Sequence, residues 1–265
     1  MQFCRQVLGV QKNTTSIGVL LELGRTPLKL EAQRLSLKNW ERIKNGDANI
    51  LVTTSYKNAV EKELDWNKTI SKLVSKHGMQ YRIEEGSSGL GNAFFGKAKD
   101  IFHQEAFEKI SKPESKLRTY SLIKTNIGKE GYLDQIRNTK YRQKLTKLRL
   151  SNHKLMIERG RHINLKIEER TCPVCSEGVE DEIHFLLKCK QYDSLRTPLL
   201  NECSILKKNF CYYSDIEKFI FIMTTPTLMG IVSKFINSAF NDRDIYLEVS
   251  LSLNDVVEKV CLGNT

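Results

Sequence analysis

Four metal-ligating side chains at fixed spacing place the strongest constraint on the fold of this chain. Two residues separate Cys172 from Cys175, eight more precede His184, and four more precede Cys189. Two cysteines at this separation form a tight turn that brings their thiolates to one point, and a later histidine and cysteine complete a tetrahedral set. The protein then fills every position around the metal, which is typical of structural zinc. The spacing therefore predicts one structural Zn2+ per chain.

Two other interpretations of this cluster stay open. The three cysteines can be free buried thiols beside an ordinary core histidine, or Cys172 and Cys175 can form a thioredoxin-like redox pair. The redox pair needs a strand–helix context, whereas an acidic segment follows here, at 177–182. His153 and His162 lie close in sequence and could serve as reserve ligands, but we expect both to lie on a helix surface.

The cysteine count and the N-terminal sequence bear on the compartment. Seven cysteines cannot all pair within one chain, and residues 1–5 contain neither the apolar core nor the cleavage site of a signal peptide. The longest apolar run, at 219–223, is far shorter than the roughly 20 residues of a membrane span. We therefore expect an intracellular protein of the nucleus or cytoplasm that is not secreted and has no membrane partner.

Positive charge is concentrated in one segment. The chain has a net charge of +11, and residues 112–170 hold 16 basic and 6 acidic side chains, a net charge of +10. Residues 1–111 carry +5 and residues 171–265 carry −4. A block of this kind binds polyanions, above all nucleic acid. A solvated, lysine-rich helical face has the same composition, so charge alone leaves both interpretations open.

The same segment predicts a long helix from about 133 to 158. Its apolar residues, among them Leu145 and Leu148, fall on one side of a helical wheel. Basic residues flank that side, and we predict that they contact nucleic-acid phosphates with weak sequence preference. They are Arg137, Lys140, Lys144, Lys147 and Lys154 on one flank and Arg142 and Arg149 on the other. Alternatively, their stems only cover the edge of the core.

The rest of the chain also has helical periodicity, so the expected fold class is mostly α. We expect a helical region over 1–84, a linker over 85–92, a basic helical region over 93–165, a zinc knuckle over 166–200 and a helical region over 201–265. The glycines of the linker resemble a phosphate-binding loop, but no Gly-Lys-Ser/Thr ending follows. Ser214 and Glu217 form a capping box that opens a helix, and apolar residues between 228 and 240 have the spacing of a core helix.

The segment around the four predicted ligands resembles a known family. Residues 172–192 combine a Cys-x-x-Cys pair, an acidic run, the triplet His184-Phe185-Leu186 and a Cys-x-x-Tyr ending. This order is similar to the zinc-binding region that follows the polymerase of non-LTR retrotransposon reverse transcriptases. The basic stretch at 141–162 and the motifs at 8–28 resemble the regions upstream of that knuckle, so the resemblance covers most of residues 1–200. It implies RNA or DNA as a partner and a thumb-like region over 1–84.

The resemblance does not extend to catalysis. Reverse transcription needs paired aspartates that hold two metal ions, and this chain has no Asp-Asp pair and is too short for the fingers and palm. Some relatives carry an endonuclease with Pro-Asp and Asp-x-Lys patterns, but the run Asp242-Arg243-Asp244 lacks the lysine. We therefore expect a post-polymerase fragment, encoded as a separate or truncated protein, that is not an enzyme.

Three functions are compatible with these features. The first is a nucleic-acid-binding module in which the zinc knuckle braces a basic helix. The second is a zinc-stabilised helical adaptor that binds protein, with the basic helix merely solvated. The third is an inactive remnant of a retroelement.

Overall fold

A computed structural model describes residues 1–62, 65–84 and 89–262. Helices dominate these ranges, which confirms the predicted mostly-α fold class. In chain order the α-helices are α1 (Gln2–Leu8), α2 (Ser16–Glu22), α3 (Leu28–Lys44), α4 (Ile50–Glu61), α5 (Asp65–Lys76), α6 (Gln80–Glu84), α7 (Leu90–Ser111), α8 (Arg118–Ile123), α9 (Tyr132–Gln135), α10 (Thr139–Arg149), α11 (Met156–His162), α12 (Asp193–Leu206), α13 (Asp215–Thr224) and α14 (Met229–Leu262). Within the same ranges, β structure is limited to two isolated antiparallel bridges, Leu23 with Lys129 and Thr171 with Val179.

Local sequence signals fix several helix ends. The predicted capping box is confirmed at the start of α13, where Ser214 Oγ accepts from the Glu217 N–H at 3.3 Å. The Glu217 carboxylate accepts in return from the Ser214 N–H at 2.7 Å. Gly24 follows α2 with a φ of +60°, and a Cβ there would lie 2.4 Å from the Lys129 backbone nitrogen. Only glycine satisfies both the left-handed backbone and this close approach.

The chain forms two compact units whose boundaries differ from the predicted regions. The smaller unit is Arg25–Lys109, and the larger unit combines Met1–Gly24 with Ile110–Thr265. The N-terminal helices join the larger unit through long-range contacts such as the hydrogen bond from the Gln11 N–H to Asn152 Oδ1 at 3.0 Å. Of the predicted linker at 85–92, residues 85–88 lie outside the described residues, and 90–92 belong to α7.

The smaller unit has its own core, in which apolar faces of α3, α5 and α7 meet. Leu37, Val74 and Phe94 are fully buried there. The Trp40 indole N–H donates to Asn67 Oδ1 at 3.2 Å, so its one polar atom is satisfied.

The larger unit is built around the first half of α14, which packs against α10, α12 and α13. The apolar positions predicted between 228 and 240 are buried, apart from the half-buried Ile231. No single helix in the described ranges is long and apolar enough to cross a bilayer, and only α13 taken together with Pro226–Ser250, at a bend of 79°, reaches that length and apolarity.

The prediction of one long helix over 133–158 is wrong. Three helices, α9, α10 and α11, occupy this stretch. Asn138 starts α10 as its N-cap, with Oδ1 accepting from the N–H groups of Lys140 at 3.0 Å and Tyr141 at 3.3 Å. After α10 the chain turns at Ser151, which has a φ of +48° and whose Oγ donates to Glu182 Oε1 at 3.0 Å. The break therefore results from a cap at one end and a buried tertiary hydrogen bond at the other.

Candidate metal centre and basic surface

The first two predicted ligands lie in a short hairpin. Thr171 and Val179 form an antiparallel bridge, and the Cys172 N–H donates to the Gly178 carbonyl at 2.9 Å. Gly178 has a φ of +68°, which glycine adopts without strain. The hairpin holds the thiols of Cys172 and Cys175 in one small volume.

The other two predicted ligands flank a π turn. Residues His184–Lys188 form this turn, and the Cys189 N–H donates to the His184 carbonyl at 2.9 Å. Residues five apart diverge by about 140° on an α-helix, whereas a turn closed by i→i+5 hydrogen bonds brings them close to one side. Asp181 Oδ1 accepts from the His184 N–H at 2.7 Å and caps the turn. The π turn thus explains how His184 and Cys189 reach the same point.

The four side chains form a cluster that could hold a metal ion. The ligand atoms of Cys172, Cys175, His184 and Cys189 all lie within 4.8 Å of one another. Cys175 Sγ is 3.3 Å from His184 Nε2, and Cys172 Sγ is 4.0 Å from Cys189 Sγ. Tetrahedral zinc with its usual bond lengths separates its ligand atoms by about 3.5–3.8 Å. The donor set and its dimensions are therefore compatible with Zn2+, as the spacing predicted.

Burial favours the neutral forms of these groups. It raises the pKa of the Cys172 thiol well above its ordinary value and raises the pKa of Cys189 to about 11. It lowers the pKa of His184, against the opposing charge of Asp181. Neutral imidazole is the form that binds a metal, whereas thiols bind as thiolates, so metal binding here releases protons.

Two carboxylates of the acidic segment between the ligand pairs, Glu180 and Glu182, are buried, whereas Glu177 is exposed. Glu180 is 1% exposed and pairs with Arg243 of α14 through two bonds, Nε to Oε1 at 2.7 Å and Nη2 to Oε2 at 2.8 Å. Glu180 also accepts from the Met156 N–H at 2.7 Å, at the start of α11. One buried carboxylate thus ties the hairpin to two helices.

Glu182 makes a second set of buried contacts. It accepts from Arg118 Nη2 at 2.8 Å, from Ser151 Oγ at 3.0 Å and from His153 Nε2 at 3.0 Å. Burial raises the pKa of this carboxyl, but the hydrogen bond and charge of His153 and the charge of Arg118 outweigh it and lower the pKa to about 2. His153, predicted as a reserve ligand, therefore bonds to Glu182 and lies outside the cluster of four.

Arg196 of α12 holds the π turn from the other side. Its Nε donates to the Leu186 carbonyl and its Nη2 to the Cys189 carbonyl, both at 2.8 Å. Phe185 from the same turn stacks on Phe240 of α14, with ring centroids 4.5 Å apart. The candidate metal centre is thus anchored to α8, α11, α12 and α14.

Most basic side chains between residues 112 and 170 fall into two groups. The first group bonds to carboxylates or backbone carbonyls and comprises Lys116, Arg118, Lys124, Lys129, Arg142, Arg149, Arg161 and Arg170. The second group, which we call the unpaired cations, has no ion pair or side-chain hydrogen bond to any described residue and comprises Lys112, Arg137, Lys140, Lys144, Lys147, Lys154 and Arg159. An unpaired cation keeps its charge available to an external anion.

Arg149 was predicted to contact nucleic acid, and this prediction is wrong. The side chain is 2% exposed, with Nε 2.7 Å from Glu22 Oε1 and Nη2 2.6 Å from Glu130 Oε2. A buried guanidinium held by two carboxylates cannot reach a phosphate. Arg142 is half-buried and donates to the Ile136 carbonyl at 2.9 Å, so it joins α9 to α10.

Several of the unpaired cations surround one cavity of about 690 Å³ in the larger unit. Its basic lining residues include Lys144, Lys147, Lys154, Arg159 and His162, and the residues that α14 contributes include Phe240, Arg243, Asp244 and Glu248. Lys144 Nζ lies 5.2 Å from the centre of the Phe240 ring. Burial lowers the pKa of Lys144, and the charges of neighbouring lysines add to this effect against that of Asp244. Arg137 and Lys140 do not line the cavity.

Arg159 and His162 were missed as members of this basic surface. In a helix continuous to 158, Arg159 and His162 would lie beyond the C-terminal end, away from the lysines. The predicted basic surface therefore did not include them. The turn at Ser151 redirects the chain, and α11 returns these two side chains to the lysines of α10. The serine and asparagine at 151–152, which favour turns, were the available signal.

Comparisons of the chain with protein-family models, with curated proteins and with solved structures find no match. Its function is therefore inferred from its own residues.

Proposed function

We propose that this chain is a non-catalytic nucleic-acid-binding protein. In this proposal a structural zinc ion stabilises the segment that holds a basic binding surface in place. The observation that carries the proposal is the convergence of the unpaired cations Lys144, Lys147, Lys154 and Arg159 on one cavity. Lys140 extends this surface along α10.

Electrostatics favours an external anion at this surface. Like charges held close together destabilise the folded state, and no carboxylate of the described residues lies at ion-pair distance from these side chains to offset that cost. The paired cations of the same segment, such as Arg149, show that the fold satisfies its structural cations internally. A bound phosphate backbone would relieve the remaining repulsion.

The proposed zinc ion acts through the acidic segment between its ligands. Glu180 accepts from the Met156 N–H at the start of α11, and Glu182 bonds to Ser151 and His153 in the turn between α10 and α11. That turn carries Lys154 and leads into Arg159. A Cys3His set leaves no coordination position for water, so the ion would be structural and would supply no catalysis. The resemblance of residues 172–192 to the knuckle region of non-LTR reverse transcriptases agrees with this role.

Fluorescence anisotropy at several salt concentrations tests the proposal. Labelled structured RNA, single-stranded DNA and duplex DNA are titrated with the zinc-loaded chain from about 50 to 300 mM salt. If about four cations reach phosphates, the slope of log affinity against log salt is roughly −3 to −4. Absence of binding to all three probes at the lowest salt concentration would contradict the proposal and favour a zinc-stabilised adaptor that binds protein.

A further inference from the structure

The cavity beside α10 has charges of both signs, which a site for bare phosphates would not need. Its volume of about 690 Å³ lies within the usual range of small-molecule sites. Asp244 and Glu248 are one helical turn apart on α14 and both line it, together with the unpaired cations. These carboxylates repel phosphate but accept hydrogen bonds. The lining therefore suits a ligand that carries an anionic group and separate hydroxyl or amine donors.

A buried polar atom without a partner points to the same kind of ligand. The His153 side chain lines the cavity and is 1% exposed. Its Nε2 is 3.0 Å from Glu182 Oε1, while its Nδ1 is buried and has no hydrogen-bond partner among the residues that the structure describes. A histidine ring nitrogen donates when it is protonated and accepts when it is not, so Nδ1 can bond to a ligand hydroxyl in either form. Buried polar atoms are normally satisfied, and a ligand hydroxyl would satisfy this one.

An amide donor is also available in the same cavity. Asn152 lines the cavity, and its Oδ1 already accepts from the Gln11 N–H at 3.0 Å. Within the described part of the chain the amide NH2 of Asn152 has no hydrogen-bond acceptor, so it can donate to a ligand oxygen.

We infer that this cavity is a ribonucleotide site, in which the unpaired cations bind the phosphate and the carboxylates of α14 accept from the ribose hydroxyls. The inference rests on the proposed function: one ribonucleotide of the bound strand occupies the cavity. Carboxylates recognise ribose hydroxyls in other nucleotide sites, and the 2′-hydroxyl distinguishes RNA from DNA. The assignment thus selects RNA over DNA.

Base identity has little part in this recognition. The Phe240 ring is stacked on Phe185 at 4.5 Å, and Lys144 Nζ lies 5.2 Å from its centre. The ring therefore offers no open face on which a base could stack. We expect the four ribonucleotides to bind with affinities within a few-fold of one another.

Calorimetry of the full zinc-loaded chain tests the inference without any variant. Adenosine 5′-monophosphate, its 2′-deoxy analogue and inorganic phosphate are titrated at about 50 mM salt. We expect the ribonucleotide to bind about tenfold or more tightly than the deoxy analogue, because the latter leaves a carboxylate without its hydroxyl. Equal binding of the two nucleotides, or of the ribonucleotide and phosphate, would overturn the inference.

Two variants separate the halves of the site. Lys144→Gln should weaken ribonucleotide binding about tenfold, whereas Asp244→Ala with Glu248→Ala should abolish the preference for ribose while phosphate affinity is kept or increased. Matched controls are Lys112→Gln and Asp242→Ala, which change exposed residues outside the lining. Circular dichroism and zinc content verify that each variant is folded. Variants that are folded but leave both affinities and the ribose preference unchanged would overturn the assignment.

Competition with RNA shows whether the cavity binds a nucleotide of an RNA strand or only a free mononucleotide. We expect a labelled ten-residue RNA to bind more tightly than the mononucleotide and to be displaced by it, which would support the binding of an RNA strand in the cavity. A mononucleotide that binds while RNA cannot displace it would overturn the strand assignment. If RNA binds with the predicted salt dependence and no nucleotide binds, the inference is wrong and the proposed function stands. If neither binds, both are wrong.

Discussion

Arg149 and Lys144 carry the same charge on the same helix, but their surroundings give them different roles. Arg149 is enclosed by Glu22 and Glu130 and donates to the Met223 carbonyl at 3.0 Å, so it joins three separate parts of the larger unit. Burial alone lowers the pKa of Arg149. The charges of Glu22 and Glu130 raise it by more, so the net shift of the pKa is upward. Lys144 has no ion pair with any described residue and borders the cavity. Composition counts both as basic residues, and only packing separates them.

Arg149→Ala should destabilise the chain strongly. The substitution leaves Glu22, which is fully buried, without its cationic partner, and removal of one member of a buried ion pair costs about 3–5 kcal/mol of unfolding free energy. The matched control is Lys140→Ala on the same helix, which is exposed and should change stability by about 0.5 kcal/mol or less. Urea unfolding measures the unfolding free energy of both variants. Equal losses in the two would show that the buried ion pairs of Arg149 do not stabilise the fold.

At the scale of the helices, the positions where they begin and end depend on two kinds of contact. Capping residues can be recognised in the sequence, whereas tertiary contacts cannot. The capping box at Ser214 was predicted correctly because both of its partners are three residues apart. The break between α10 and α11 was not, because Glu182, which bonds to Ser151, lies 31 residues away. The spacing of the four ligands predicted their convergence, whereas the burial of Glu180 and Glu182 between them was not predicted. A charged run next to a metal motif looks solvated until its partners, such as Arg243, are known.

Ser214→Ala should raise the pKa of Glu217. Hydrogen bonds from the Ser214 side chain and backbone hold the pKa of this carboxyl below its ordinary value of 4.5. Because the folded-state pKa is lowered, the pair stabilises the start of α13 above about pH 4.5 and loses this effect as the pH falls. Carbon-13 NMR titration of the glutamate carboxyls measures the shift. An unchanged Glu217 titration in the variant would show that the capping box does not form in solution.

Cys175→Ser should release the metal and unfold the ligand region locally. The loss of one ligand from a structural site removes much of the folding free energy of metal binding, which is on the order of 10 kcal/mol for an isolated site. Residues 171–195 should lose protection from hydrogen exchange, while helices elsewhere persist. Cys211→Ser is the control, because this exposed cysteine lies outside the cluster. Elemental analysis should give one zinc per chain for the wild type and the control and none for Cys175→Ser, whereas stoichiometric zinc in Cys175→Ser would exclude this ligand set.

At the scale of the whole molecule, the basic and acidic segments of the sequence belong to one compact unit. Residues 112–170, with a net charge of +10, and residues 171–265, with −4, both lie within it. Carboxylates of the acidic segment neutralise buried cations, as Glu180 does for Arg243 and Glu182 for Arg118. Four of the seven unpaired cations, Lys144, Lys147, Lys154 and Arg159, line the cavity. Sequence composition predicted the excess of charge, but its position depends on the fold.

Substitution of the lysines of α10 tests the proposed nucleic-acid binding most directly. The triple variant Lys140→Gln, Lys144→Gln and Lys147→Gln removes three unpaired cations and no residue of the buried networks. Fluorescence anisotropy over a range of salt concentrations gives the slope of log affinity against log salt for each protein. The control is Lys112→Gln, an unpaired cation outside the cavity. We predict that the triple variant stays folded and that its slope is flatter than that of the wild type by about two to three units, with the control unchanged. A triple variant that binds nucleic acid with the wild-type slope would contradict the proposal.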